Sequence, residues 1–148
     1  MADNLFVGVE GGGSCSKGIL VNGEGAVLAA AQTGGTNHWG IGIPKTVQII
    51  LELIDELLTL ADLKGSSVNS IGLSLSGAET PSCVSGIASA LYDLRPELIS
   101  QDKKAKVYND AIAALETATD QGGNNIYDIV YLLITDWLGL LCVSLRGY

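Results

Sequence analysis

The chain has 148 residues, 47% of them hydrophobic, and its eight basic and sixteen acidic side chains give a formal net charge of −8. A chain of this length and composition can bury a core, so general disorder is excluded. The acidic balance argues against nucleic-acid binding, which needs basic surface to displace counterions from phosphates. A nucleotide ligand is not excluded, because backbone N–H groups can hold a phosphate without net positive charge.

Three cysteines (Cys15, Cys83 and Cys142) and one histidine (His38) lack the spacing of a zinc site. The first residues do not have the basic and apolar regions of a signal peptide. We therefore expect free thiols and a cytoplasmic location.

Three short apolar runs open the chain, over residues 5–9, 18–21 and 26–32. Each has the length of a strand. The Asn-Gly-Glu-Gly sequence at residues 22–25 is typical of a hairpin turn, because asparagine and glycine tolerate positive φ. The sequence predicts an antiparallel meander, followed by a polar, glycine-rich loop over residues 33–42.

The next segment has an apolar stripe at helical spacing, with Pro44 in the first turn. This pattern predicts a helix that lies against a sheet and ends at residues 64–67. Residues 68–75 alternate apolar and small side chains, which predicts a strand.

A second helix is predicted between Thr80, a favoured N-cap residue, and Pro96, which cannot continue a helix. A short strand over residues 105–108 and a third helix over residues 111–118 follow. The order β-β-β-α-β-α-β-α implies an α/β fold with a mixed sheet and helices on its faces.

Three polar or glycine-rich groups fall at the ends of predicted strands: the glycine cluster at residues 10–17, the turn at residues 74–77, and Asp110. In open sheets of this kind, ligands bind at the carboxyl ends of strands. The sequence therefore predicts that these groups share one site.

The glycine cluster, Glu10-Gly-Gly-Gly-Ser-Cys-Ser-Lys17, matches neither the Walker A spacing nor the GxGxxG fingerprint. Three consecutive glycines let the backbone approach an anion, and their N–H groups can form a concave nest. Ser14 and Ser16 add hydroxyl donors, and Lys17 adds charge if it faces inward. A plain glycine-rich hairpin turn explains the same residues equally well.

Asp110 has two interpretations. Aspartate is a favoured N-cap, which contributes about 1 kcal/mol to a helix. As a general base it would accept a proton from an attacking hydroxyl, a role that contributes roughly 10²–10⁴-fold in rate. One carboxylate can do both, because a helix N-terminus keeps it ionised.

The Asn37-His-Trp39 segment lies in the predicted loop. The Asn37 amide suits paired sugar hydroxyls, and the Trp39 indole can cover the apolar face of a pyranose or plug the edge of the core. For His38 we expect a structural role. Residues 74–77, Ser-Leu-Ser-Gly, either supply donors at a strand end or form only a turn.

Together these segments resemble eukaryotic N-acetylglucosamine kinases. The resemblance rests on residues 8–14 (Gly-Val-Glu-Gly-Gly-Gly-Ser), 36–39 (Thr-Asn-His-Trp), 72–77 (Gly-Leu-Ser-Leu-Ser-Gly) and 109–111 (Asn-Asp-Ala). That family belongs to the actin-like ATPase and sugar-kinase superfamily, whose lobes resemble ribonuclease H. The resemblance implies ATP-dependent phosphorylation of N-acetyl-D-glucosamine at its 6-hydroxyl, and a homodimer in the full-length members.

The resemblance also implies roles for individual residues. The turn Gly11, Gly12, Gly13 and Ser14 would be a phosphate loop for ATP, with Mg²⁺ accompanying the phosphates. Glu10 stands where many members have aspartate, and would contact the metal through water. Asp110 would be the catalytic base, and the sugar would contact Asn37, Trp39, Ser76, Gly77 and Asp110.

The match ends near residue 123. We therefore expect residues 1–123 to form one kinase lobe and residues 124–148 to be a divergent apolar tail, as from an altered splice or reading frame, with the second lobe absent and the chain inactive alone. Residues 126–145 have the length of a membrane span, but Asp128 and Asp136 make that assignment costly.

Two other functions are compatible with the sequence. A lone lobe with an exposed apolar cleft face could act as a non-catalytic module that binds a partner or self-associates. Another ATPase of the superfamily, such as a dehydratase activator, is disfavoured by the Asn37-His-Trp39 segment.

Overall fold

The computed structural model describes residues 4–99 and 105–109. Asp110, the predicted third helix and the tail at residues 124–148 lie outside the described residues. The described elements, in chain order, are β1 Leu5–Gly11, β2 Cys15–Asn22, β3 Val27–Gly34, α1 His38–Ile41, α2 Ile43–Leu60, β4 Ser70–Leu75, α3 Pro81–Leu94 and β5 Ala105–Asn109.

The five described strands form one sheet in the order β3-β2-β1-β4-β5. The pairs β1–β2 and β2–β3 are antiparallel, as predicted for a meander, whereas β4 runs parallel to both β1 and β5. The predicted mixed sheet with helices is confirmed. The predicted hairpin turn is also present: Asn22 Oδ1 accepts hydrogen bonds from the backbone N–H groups of Glu24 (3.1 Å) and Ala26 (2.9 Å).

Helix α2 packs against the sheet along the predicted apolar stripe. The helix approaches β2 closely at Gly18, because a Cβ there would lie only 3.0 Å from Leu57 and 3.1 Å from Leu53. The stripe is almost completely buried, as the following positions show: Val47, Ile50, Leu53, Ile54, Leu57 and Leu58.

The predicted end of α2, at residues 64–67, was wrong, because the helix ends at Leu60. Asp62 has a φ of 60° and closes the helix in a Schellman arrangement. The Asp62 N–H donates to Thr59 O (3.1 Å), and the Leu63 N–H donates to Leu58 O (2.7 Å). The helix therefore ends where one left-handed residue redirects the backbone, before Gly65 is reached.

Helix α3 begins as predicted, with Thr80 Oγ1 accepting the Cys83 N–H at 3.3 Å, and it ends at Leu94, before Pro96. Arg95, just after the helix, donates to Asp55 of α2 at 2.9 Å. This hydrogen bond raises the pKa of the Arg95 guanidinium above its usual value. No helix within residues 4–99 is long and apolar enough to cross a membrane.

Candidate functional site

Three segments meet where β1 and β4 end. The Ser76 N–H donates to Gly11 O at 2.8 Å, which extends the parallel ladder by one bond and places Ser76 beside the glycine turn. The Thr36 N–H donates to Gly12 O at 3.0 Å from the other side. The glycine turn, the segment after β3 and the segment after β4 are therefore joined directly through their backbones.

The turn between β1 and β2 leaves two backbone donors exposed. The Gly12 N–H closes the hairpin on Cys15 O at 2.9 Å. Gly13 and Ser14 are exposed, and no described residue accepts a hydrogen bond from their N–H groups. A Cβ at Gly13 would meet nothing within 4 Å, so an incoming group could reach this backbone. Adjacent exposed N–H groups of this kind can bind an anion.

A support beneath the turn was not identified from the sequence. Gly35 has no space for a side chain, because a Cβ there would overlap the carbonyl oxygen of Gly13. A Cβ at Gly11 would likewise overlap Thr36 Oγ1. The signal that could have revealed this packing is the pair Gly34-Gly35, since consecutive glycines after a strand often mark a close backbone approach.

Asn37 and Trp39 lie beside the same turn. Asn37 caps the short helix α1, with its Oδ1 accepting the Trp39 N–H at 3.0 Å. The Trp39 indole is 68% exposed, yet its Nε1–H donates to Gly77 O at 3.0 Å. The indole is therefore fixed in direction while its ring stays open to solvent, a combination suited to an aromatic binding surface.

His38 points inward. It is 8% exposed, its ring centroid lies 4.9 Å from that of Trp39, and neither ring nitrogen has a hydrogen-bond partner among the described residues. The structural role expected for His38 stays a prediction. The helix that contains it, α1, was predicted as loop, because four residues are too few to show a helical period.

Glu10 and Asp110 complete the set of predicted site residues. Glu10 is half-buried near the end of β1, in register with Lys17 of β2 and Ser74 of β4. Asp110 lies outside the described residues. The residue before it, Asn109, pairs with Leu75 at the end of β5, so β5 ends at the same edge of the sheet as β4.

Comparison with known proteins finds a relative by sequence and several solved structures with a similar fold. No protein-family model matches the chain. N-acetyl-D-glucosamine kinase of Dictyostelium discoideum is 27% identical over 152 residues, which cover 98% of this chain and 44% of that protein.

Two solved structures are similar in fold. A proposed N-acetylglucosamine kinase from Chromobacterium violaceum matches with a TM-score of 0.63 and 24% identity, covering 78% of this chain and 38% of that one. A ROK family glucokinase from Streptomyces griseus, in complex with glucose and AMPPNP, matches with a TM-score of 0.51 and 18% identity, covering 83% and 38%.

The chain thus has the fold of one lobe of the actin-like ATPases and sugar kinases. Within that class, the resemblance to N-acetylglucosamine kinase that the motifs indicated is confirmed, because it extends over nearly the whole chain. The chain spans less than half the length of these relatives.

Proposed function

We propose that this chain is part of an enzyme that phosphorylates N-acetyl-D-glucosamine with ATP at the 6-hydroxyl, giving N-acetylglucosamine 6-phosphate. The observation that carries the proposal is the backbone hydrogen bond that joins the glycine turn to Thr36, the residue directly before the Asn37–Trp39 segment, in a fold shared with sugar kinases. Phosphoryl transfer depends mainly on positioning and electrostatic stabilisation, which such a preformed junction can provide.

The glycine turn would hold the nucleotide. Its exposed N–H groups at Gly13 and Ser14 fit a phosphate, and the open space at Gly13 leaves room for it. Bound ATP supplies the transferred phosphoryl group, with Mg²⁺ offsetting the phosphate charge. Glu10 lies at the end of the strand that leads into the turn, where its carboxylate would contact the metal through water.

The segments on either side of Gly77 would hold the sugar. Because the indole Nε1–H of Trp39 donates to Gly77 O, the face of the ring is left to cover the apolar face of a pyranose. Asn37 uses its Oδ1 for the α1 cap, and no described residue accepts from its Nδ2, which leaves that group to donate to a sugar hydroxyl. Ser76, half-buried beside the glycine turn, adds a hydroxyl between the two ligands.

Asp110 would act as the base that accepts the proton of the 6-hydroxyl. Its place in the sequence supports this role, since it directly follows β5, which ends at the same sheet edge as Ser76. We also propose that residues 1–123 form this lobe. The similarity to the Dictyostelium kinase covers 98% of this chain, so it continues past residue 123 and does not support a separate tail at residues 124–148.

Titration of the ¹⁵N-labelled chain tests the proposal in two arms. AMPPNP with Mg²⁺ should shift the amide signals of Gly13 and Ser14, and N-acetylglucosamine should shift those of Asn37 and Trp39. Glucose is the matched control for the acetamido group, and a coupled ADP-release assay with ATP in place of AMPPNP measures turnover. Binding of neither ligand at these residues would contradict the proposed function.

Replacing Trp39 by phenylalanine should weaken sugar binding while the fold is kept. Phenylalanine retains an aromatic ring but loses the N–H that donates to Gly77 O. Without this hydrogen bond the ring is no longer fixed in direction, and fixing it again on binding would cost at most the value of one hydrogen bond, about 1 kcal/mol. We therefore expect the Kd for N-acetylglucosamine to rise by up to about fivefold. Calorimetric titration measures this effect, and the AMPPNP affinity of the same variant is the internal control. A fivefold loss in both affinities would contradict a specific role in sugar binding.

A further inference from the structure

Thr36 lies directly beneath the glycine turn. It is 1% exposed, and its side chain occupies the space that a Cβ at Gly11 would need. The Thr36 N–H donates to Gly12 O at 3.0 Å. Its Oγ1 lies 2.8 Å from the Oγ of Ser16, which is 0% exposed. Neither hydroxyl can reach a ligand on the exposed side of the turn, so the proposed reaction does not use them directly.

These contacts hold the turn on both of its sides. Gly12 precedes the exposed donors and Ser16 follows them, and Thr36 is bound to both residues. A run of three glycines loses more conformational entropy on ordering than any other tripeptide. An anchor on each side removes much of that freedom before a ligand arrives, and such preorganisation lowers the free-energy cost of binding.

We propose that Thr36 is a positioning residue for nucleotide binding, with Ser16 as its hydrogen-bond partner. The pair keeps the turn in the shape in which the N–H groups of Gly13 and Ser14 have no partner among the described residues and stay available to a ligand. The inference rests on the proposed function, because it takes the turn to be the phosphate site. If Thr36 and Ser16 only filled the core, replacing them would lower the stability of the fold. The affinities for nucleotide and for sugar would then change equally.

The experiment compares Thr36→Val, Thr36→Ser and Ser16→Ala in the complete 148-residue chain. Valine keeps the branched shape and removes the hydroxyl, serine restores it, and Ser16→Ala removes the partner without adding bulk. The probes are AMPPNP with Mg²⁺ and, separately, N-acetylglucosamine. We expect Thr36→Val and Ser16→Ala to raise the AMPPNP Kd about tenfold and to change the sugar Kd by less than about twofold.

Thr59→Val is the matched control, because its hydroxyl bonds only within α2, to Asp55 O at 2.7 Å. Wild-type AMPPNP affinity in folded Thr36→Val and Ser16→Ala would overturn the inference, as would an equal loss of both affinities. Recovery of affinity in Thr36→Ser supports it. If Thr36→Val does not fold, the AMPPNP and sugar affinities of Ser16→Ala alone test the inference. An unmodified chain that does not bind AMPPNP at all refutes the proposed function, and the inference with it.

Discussion

Alanine at Gly11 should destabilise the fold strongly, whereas alanine at Gly13 should impair only ligand binding. The added Cβ at Gly11 would overlap Thr36 Oγ1 and lie 2.6 Å from Leu75 Cδ2, and both neighbours are buried. Overpacking of this kind costs about 1–3 kcal/mol, and we expect the upper end because neither neighbour can move into solvent. Urea denaturation measures the difference in the free energy of unfolding.

Gly13→Ala is the matched partner, since the same methyl group there would meet nothing within 4 Å. Stability should be unchanged or raised by up to about 1 kcal/mol, because alanine restricts the unfolded chain. The methyl group would nevertheless occupy open space beside the N–H groups that we propose as the phosphate site. We expect the AMPPNP Kd to rise about tenfold, a loss of about 1.4 kcal/mol.

The two variants test separate statements. Equal stability of Gly11→Ala and Gly13→Ala would show that Thr36 does not pack against the turn as described. Unchanged AMPPNP affinity in Gly13→Ala would show that the turn is not the phosphate site. Nothing in the sequence alone distinguishes Gly11 from Gly13, two residues apart in one glycine run. The structure shows that packing requires the first to be glycine and leaves open space at the second.

Periodicity was enough to predict the main elements of the fold. The stripe from Val47 to Leu58 predicted a helix because one face of that helix is buried. The alternation of apolar and small residues predicted strand β4, although the structure buries both of its faces. The end of α2 was not predictable in this way. It depends on the left-handed backbone of Asp62, and aspartate in a sequence does not by itself indicate a positive φ.

The candidate site was partly predictable for a similar reason. The meeting of the glycine turn with Ser76 follows from two strand ends at one edge of a sheet. The position of Thr36 beneath the turn could not be predicted in this way, because it depends on how the segment after β3 folds back over the hairpin. No local pattern around Thr36 shows that its hydroxyl will pair with that of Ser16, 20 residues earlier.

Alanine at Gly77 should weaken sugar binding by more than about tenfold, and Gly65 offers a control with nearly the same φ angle. Both glycines have left-handed φ angles, +87° at Gly77 and +84° at Gly65. Alanine therefore carries a backbone cost of about 1–2 kcal/mol at either position. A Cβ at Gly65 would meet nothing within 4 Å, whereas one at Gly77 would lie 2.7 Å from Asn37 Oδ1 and 2.8 Å from Trp39 Cδ1.

Any difference in stability or sugar affinity between the two variants therefore comes from the contact of the added Cβ at residue 77 with Asn37 and Trp39. We expect the free energy of unfolding of Gly77→Ala to be about 1–2 kcal/mol lower than that of Gly65→Ala, unless Asn37 and Trp39 move away and relieve the clash. In either case its Kd for N-acetylglucosamine should rise more than about tenfold, while Gly65→Ala binds like the unmodified chain. Equal sugar affinity in the two variants would mean that Asn37 and Trp39 do not contact the sugar. A loss of sugar affinity in Gly77→Ala alone would show that Asn37 and Trp39 can keep their positions only when residue 77 has no side chain.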